Sequence, residues 1–385
     1  MTNHFSRRNF LKTSAAAATV AAMGTNFAFA QGQERIKVGL VGCGGRGTGA
    51  ATDAIMASPQ VDVVAMGDLF KDRLESSKAA LGKLEEKYRP QVKVADDKCF
   101  VGFDAYQKVI DLDLDYVILT TPPGFRPMHY AYAVEKGRHC FAEKPVAVDP
   151  AGVRKFIETS KIAESKKLCL VGGFVFRRDK VHMDTIEKIH KGAIGDVLSG
   201  DHIVEQAIHR IDIQNWVMNS IPVSAYGMGG RQVRTDPAYG CIYDHFAVEY
   251  EYPNGAKVVH MCRQTDGTDP RIEENYWGTK GQANPAKGIK GDKDRKKEEK
   301  LTTAYVQEHV DLIAAIKSGK TVNEGVRLAE SSLTAIMGRM SAYTGKLVTW
   351  DQAMQSKQDL WPKEPLAFGP KPVPPVAMPG KEPLV

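Results

Sequence analysis

The chain has 385 residues, a hydrophobic fraction of 43% and a formal net charge of +6. That length makes two domains the expectation, and that composition is ordinary for a globular protein with a real core. Residues 1–30 hold Arg7, Arg8 and Lys12 and no acid, so the remainder carries 6 − 3 = +3, too small an excess to argue for nucleic-acid binding.

The chain opens on a targeting segment, residues 1–30, which stands outside the fold. Ser6-Arg7-Arg8-Asn9-Phe10-Leu11-Lys12 resembles the twin-arginine export motif, and a weakly apolar run from Ala15 to Met23 follows. That run is too short to span a membrane. Ala28-Phe29-Ala30 fits a small-residue cleavage site before Gln31. Twin-arginine systems export folded proteins, so the expected partner is that machinery and the expected location is the periplasm or the medium. Six cysteines, Cys43, Cys99, Cys140, Cys169, Cys241 and Cys262, show no C-x-x-C pairing and read as buried free thiols.

Lys37-Val38-Gly39-Leu40-Val41 reads as a buried parallel strand. It breaks into Gly42-Cys43-Gly44-Gly45-Arg46-Gly47, a G-x-G-x-x-G turn leading into a helix. Gly42 permits the tight turn, Gly44 lets a pyrophosphate approach, and Gly47 lets the helix pack on the strand. Gly45 and Arg46 complete the cradle, where a helix N-terminus favours anions. A second strand, Val61 to Asp68, ends in an acid 26 residues after Gly42. A carboxylate there binds a ribose diol and repels a 2′-phosphate, so the expected cofactor is NAD, with NADP left open by Lys71 and Arg73. A helix N-cap before Leu69-Phe70 is the structural alternative for Asp68.

A charged helix through about Tyr88, a short strand Gln91–Val94 and a helix from Phe103 to Ile110 come next. Asp115 to Leu119 reads as a strand ending at Thr120-Thr121-Pro122-Pro123. Helix Pro127–Lys136, strand His139–Ala142, helix Pro150–Ser165 and strand Leu168–Gly172 continue a β–α alternation. Such alternation means a doubly wound parallel sheet with ligands at the strand C-termini.

The glycine turn, Asp68, the Thr-Pro after Leu119, Glu143-Lys144-Pro145, Gly173-Phe174 with Arg177-Arg178, and His209 with Asp212 together resemble the glucose–fructose oxidoreductase / inositol dehydrogenase / MocA family. The resemblance spans roughly residues 35 to 350. It implies an α/β protein with an N-terminal Rossmann domain at 31–178. A C-terminal α/β domain with a mainly antiparallel sheet follows at 179–361, and a Pro-rich extended tail at 362–385. It also implies hydride transfer between NAD(P) and a sugar, cyclitol or related polyol, and an oligomer by analogy. Thr121, Pro122, Glu143 and Lys144 then join the glycines, Arg46 and Asp68 at the cofactor.

Catalysis needs a positioned base. Lys144 at a strand terminus and His209 are the candidates. On a helix, Glu205 at i−4 and Asp212 at i+3 flank His209 and support it. Relatives usually carry Asp where Glu205 stands. Arg126, His129 and Arg177 are weaker candidates for substrate contact. Asp184, Glu187, His182 and His190 share one presumed helix, but their charged neighbours favour an exposed face, and no metal is expected.

Helix Val181–His190 leads to Gly192 through Leu198 and then at once to Ser199 through Asp212. Relatives usually place several tens of residues between these landmarks. The trimmed link bears on the first strand of the second sheet and on part of the sugar pocket. Strands follow at Val223–Gly227, Cys241–Tyr250 and Lys257–Cys262, the last two joined by the Tyr252-Pro253-Asn254-Gly255 hairpin. Residues 285–300 read as a solvated loop. Helices near Ala304–Ser318 and Glu324–Tyr343 close the domain.

A dinucleotide protein exported folded must carry its cofactor and keep it. That sets a redox-neutral alternative beside the dehydrogenase: glycoside cleavage by transient oxidation, elimination and reduction. A non-catalytic dinucleotide-bound sensor is the third reading.

Overall fold

Apolar runs long enough to be buried on both faces dictate the first sheet. β1 (Ile36–Val41) leads into α1 (Gly45–Ala57), β2 (Val61–Asp68) into α2 (Lys71–Gly82), and β3 (Cys99–Val101) into α3 (Ala105–Ile110). β4 (Tyr116–Leu119) leads into α4 (Arg126–Glu135), β5 (His139–Ala142) into α5 (Pro150–Ser165), and β6 (Leu170–Gly172) ends the series. The strands lie in the order β3-β2-β1-β4-β5-β6, all parallel. Val38, Leu40 and every residue from Tyr116 to Leu119 are fully buried, which requires helices on both faces. The order reverses between β1 and β4, and a ligand crevice opens there at the carboxyl ends.

This computed structural model describes residues 35–203, 207–269, 271–294, 296, 300–369 and 372–384. Residues 36–385 fall into one compact unit. After a 3-10 turn at Val175–Arg178 come α6 (Lys180–His190), β7 (Val197–Ile203), α7 (Ala207–Met218), β8 (Ser224–Gly230), β9 (His245–Glu251) and β10 (Lys257–Arg263). Then follow β11 (Glu273–Gly278), β12 (Gln282–Asn284), β13 (Gly288–Ile289), α8 (Leu301–Ser318), α9 (Gly325–Thr344), β14 (Val348–Thr349) and α10 (Trp350–Gln355). The second sheet runs β13-β12-β11-β7-β10-β9-β8-β14. Its pairs are antiparallel except β7 with β10. α8 returns to the first sheet, where Leu312 and Ile313 join one core with Val38, Leu40 and Ile118.

Some elements depart from the sequence reading. The link shortened after Leu198 still yields a strand: Ser199–Ile203 continue Val197-Leu198 and occupy the middle of the second sheet. Gln91–Val94 is not a strand. Pro90 lacks an N–H, residues 89–91 form a 3-10 turn, and Val92 makes a single bridge to Val63. The Gln91 amide instead donates to the carbonyls of Ile55, Ser58 and Val61. β11 and β12 were not anticipated, and β12 and β13 fall at or inside the expected loop. His182 is buried rather than on an exposed face, with Nδ1 2.6 Å from Asp179 and Nε2 2.9 Å from Glu274. Among the described residues no group of three or more His, Cys, Asp or Glu is arranged to hold a metal.

Several imidazoles are built into this core as neutral groups. His260 on β10 is opposite His202 on β7, and neither ring nitrogen of His260 has a hydrogen-bond partner among the described residues. Burial, reinforced by Arg210, pushes His260 down to about 3. Burial, reinforced by Arg46, does the same to His309. Below an unfolded value of about 6.5 the unfolded chain takes protons that the folded chain refuses. Stability therefore falls as pH drops from about 6.5 toward 3, by up to about 1.4 kcal/mol per pH unit for each excluded proton. Urea denaturation at pH 7.5 and pH 5 should show a lower midpoint at pH 5. Equal midpoints would count against neutral burial.

Candidate active site

The glycine turn is shaped as a cradle. Gly42 has φ +98°, and a Cβ there would press on Thr121 N at 2.7 Å. A Cβ on Gly47 would overlap the Gly42 carbonyl oxygen, so only glycine lets α1 approach the turn this closely. By contrast, a Cβ on Gly44 or Gly45 would meet nothing within 4 Å. The backbone faces open space there, at the N-terminus of a helix with no side-chain cap and no acid in its first turn. Free N–H groups and the helix dipole suit that place to a pyrophosphate. A cleft of about 530 Å³ borders Gly44, Gly45, Arg46 and Arg73.

Asp68 ends β2 beside this cradle. Its Oδ2 accepts from Cys43 N–H at 2.5 Å and its Oδ1 from Phe70 N–H at 2.9 Å. The carboxylate thus does local work, tying two turns together, although the α2 N-cap is Phe70. A carboxylate offers about four acceptor positions, so lone pairs remain for a ribose diol. On the other side of the crevice, Thr120 Oγ1 donates to the Gly42 carbonyl at 2.6 Å and locks the end of β4 to the turn. Pro122 begins the next turn and accepts from Phe125 N–H. These residues fit a dinucleotide.

Lys144 follows β5 at the same edge. Arg46 connects it to the glycine turn: Arg46 Nε donates to Glu143 Oε1 at 2.5 Å and its two Nη atoms reach Asp53 at 3.2 Å. Glu143 is 4% exposed, and a Cβ on Gly173 would come within 2.8 Å of its carboxylate oxygens. Burial pulls the Lys144 ammonium below its ordinary value; Glu143 opposes this, and Arg126 and Arg46 add to it. His209 lies on α7, packed edge-on to Phe176 at 5.4 Å, and its Nδ1 has no partner among the described residues. Burial, then the charges of Lys144 and Arg210, hold it well below the ordinary histidine value. The Lys144 charge is thus one of the causes that keep His209 neutral.

The other candidates are placed differently. Glu205 lies outside the described residues. Asp212 does not turn to His209: both its oxygens accept from Arg177, at 2.7 and 2.9 Å, and Oδ1 also accepts from Ser331 at 2.8 Å. That bidentate pair also occupies Arg177, which lies over the Trp216 ring at 4.8 Å. Arg126 is 2% exposed and its guanidinium donates to the Pro145 and Thr121 carbonyls, bracing the crevice wall. His129 is 4% exposed, stacks on Tyr106 at 4.1 Å and meets Thr121 Oγ1 at 3.1 Å. Burial and Arg126 push it down to about 3. It is a packed histidine held neutral in the wall of the crevice.

Two residues on α8 escaped sequence reading. Tyr305 lies under the Arg46 guanidinium at 4.6 Å. Glu308 is fully buried, and neither carboxyl oxygen has a hydrogen-bond partner among the described residues. Burial holds it well above the ordinary carboxylate range; Arg178 opposes this and Glu143 adds to it. The one available signal was an acid inside an apolar helical stripe.

Residues 36–173 match a family model described as "Oxidoreductase family, NAD-binding Rossmann fold", and residues 4–24 match the twin-arginine translocation pathway signal sequence. Among curated proteins, scyllo-inositol 2-dehydrogenase (NAD(+)) of Bacillus subtilis is 24% identical over 271 residues, 65% of this chain and 73% of that protein. A glycosyl hydrolase family 109 protein of Porphyromonas gingivalis is 26% identical over 182 residues, 46% of this chain and 36% of that protein. Among solved structures, scyllo-inositol dehydrogenase from Lactobacillus casei with bound NAD(H) and scyllo-inositol superposes with a TM-score of 0.66 at 17% identity. It covers 82% of this chain and 99% of that one. At that identity the likeness speaks for the fold. Among the described residues no helix is long and apolar enough to cross a membrane.

Proposed function

We propose, from the match of residues 36–173 to the NAD-binding oxidoreductase family model and the inositol dehydrogenase relatives, that the chain is an exported NAD-dependent dehydrogenase of cyclitols or related polyols. The observation that carries this reading is the glycine cradle itself, a helix N-terminus open to space at Gly44 and Gly45 with the Asp68 carboxylate held beside it by Cys43 N–H. The cradle at Gly44 and Gly45 would hold the pyrophosphate and Asp68 the adenosine ribose. When bound, the nicotinamide supplies the hydride acceptor for a secondary alcohol. His209, neutral at working pH, accepts the hydroxyl proton, and Lys144 donates a hydrogen bond to the substrate oxygen as charge develops there. Arg46, pinned to Glu143 and Asp53, holds the turn against the lysine-bearing segment.

The export signal and the inositol dehydrogenase relatives support a polyol met outside the cytoplasm, with the cofactor carried along. Protein recovered from the periplasm and denatured should release about one equivalent of NAD(H). Given NAD, it should form NADH on addition of inositols. A protein that arrives empty and takes up no dinucleotide ends this reading. The glycosyl hydrolase family 109 relatives, matched over about a third of their length, lend weaker support to the redox-neutral second reading. That reading expects cleavage of an aryl glycoside with no net NADH.

A further inference from the structure

The C-terminal tail makes an excursion that the reaction does not explain. It is fastened where it leaves the body: Leu360 N–H donates to Asp149 at 2.7 Å, and Trp361 stands edge-on to Phe125 at 5.3 Å. It is fastened again on its return, where Tyr243 donates to the Ala377 carbonyl and Gly380 N–H to the Thr344 carbonyl. Between these points Phe368 lies 5.8 Å from the Phe70 ring and 5.0 Å from the Phe103 ring.

Those two phenylalanines flank the proposed ribose carboxylate. Phe70 is two residues beyond Asp68 and donates its N–H to it. Phe103 follows Gly102, whose N–H donates to the Asp68 carbonyl at 3.0 Å. The cluster is only half covered, with Phe368 64% and Phe70 50% exposed. Three rings gathered at a sheet edge with open faces expose apolar area that water penalises. A ribose held by its diol at Asp68 carries its purine one glycosidic bond away, within reach of these faces. A flat base covers aromatic surface well and gains stacking energy by doing so.

We infer that Phe368 completes an adenine subsite with Phe70 and Phe103 beside Asp68, so that the tail is a strap over the adenosine half of a bound dinucleotide. This rests on the reading of Asp68 as the ribose ligand. It also supplies a physical means of keeping the cofactor during export, since release requires the strap to lift.

The test is calorimetric titration of the full exported protein, stripped of nucleotide, with NAD and with nicotinamide mononucleotide, which lacks the adenosine. Phe368→Ala should weaken NAD about ten-fold or more, speed its release, and leave the mononucleotide affinity unchanged. Phe368→Trp should retain NAD. NAD affinity within two-fold of wild type in Phe368→Ala overturns the strap, and so does an equal loss for both nucleotides. Wild-type protein that binds neither nucleotide overturns the proposed function itself, an outcome read before any variant is made.

Discussion

Lys144→Met is expected to lower kcat for polyol oxidation by about 10²- to 10⁴-fold while leaving NAD affinity within a few-fold of wild type. Methionine keeps the length and apolar stem and removes only the donor and its charge. The ammonium sits in a partly desolvated place that lowers it below its ordinary value, next to Glu143, which limits the fall. A donor so placed strengthens its bond as the substrate oxygen gains charge, so its loss falls on kcat more than on KM. The pH dependence separates the two partners. His209 is held well below the ordinary histidine value, so it is already an acceptor at neutral pH and wild-type kcat/KM is flat there. On the alkaline side Lys144 loses its proton earlier than an ordinary lysine, and the rate changes as it does. In Lys144→Met that alkaline change should vanish. Turnover equal to wild type in this variant would remove Lys144 from the chemistry.

The first half of the fold was legible because its signals are local. A buried strand, a glycine turn and a helix sit within Ile36–Ala57, and the alternation repeats to Gly172. The Tyr252–Gly255 hairpin is equally local, with Gly255 at φ +80°. What sequence could not give were pairings decided by the chain closing on itself. Arg46 meets Glu143 across 97 positions. Arg126 and His129 carry residue types that suggest substrate contact, yet the two Arg126 Nη atoms donate to the Pro145 and Thr121 carbonyls, and the His129 ring stacks on Tyr106 with Nδ1 at Thr121 Oγ1. β7 is the sharpest case. Ser199-Gly200-Asp201-His202 has little strand propensity, and it is a strand because β10 and β11 supply ladders on both sides. Phe368 gave no signal, since an aromatic residue in a proline-rich tail has no periodicity to read.

Asp212→Ala is expected to destabilise the protein by about 3–5 kcal/mol, a large share of a typical folding free energy. The cost comes from what is left behind. Arg177 and Asp212 are each about nine-tenths buried or more, and their bidentate pair is completed by Ser331. Removing the carboxylate strands the Arg177 guanidinium, with Arg327 as a second cation nearby. An unpaired buried charge costs more than the intact pair contributes, so the double variant Arg177→Met, Asp212→Ala should be more stable than Asp212→Ala alone. Helix spacing alone would put Asp212 to work on His209, and the two roles predict different cycles. If Asp212 acts through Arg177, urea midpoints recover in the double variant and turnover per folded molecule recovers with them. If it orients the His209 imidazole, turnover stays low in the double variant however well it folds, and the pH profile of the residual rate moves. Recovery of both quantities together would make the Arg177–Asp212 pair a buried clasp between the 3-10 turn at Val175–Arg178 and α7. His209 would then depend on Asp212 only for the position of the helix that carries it.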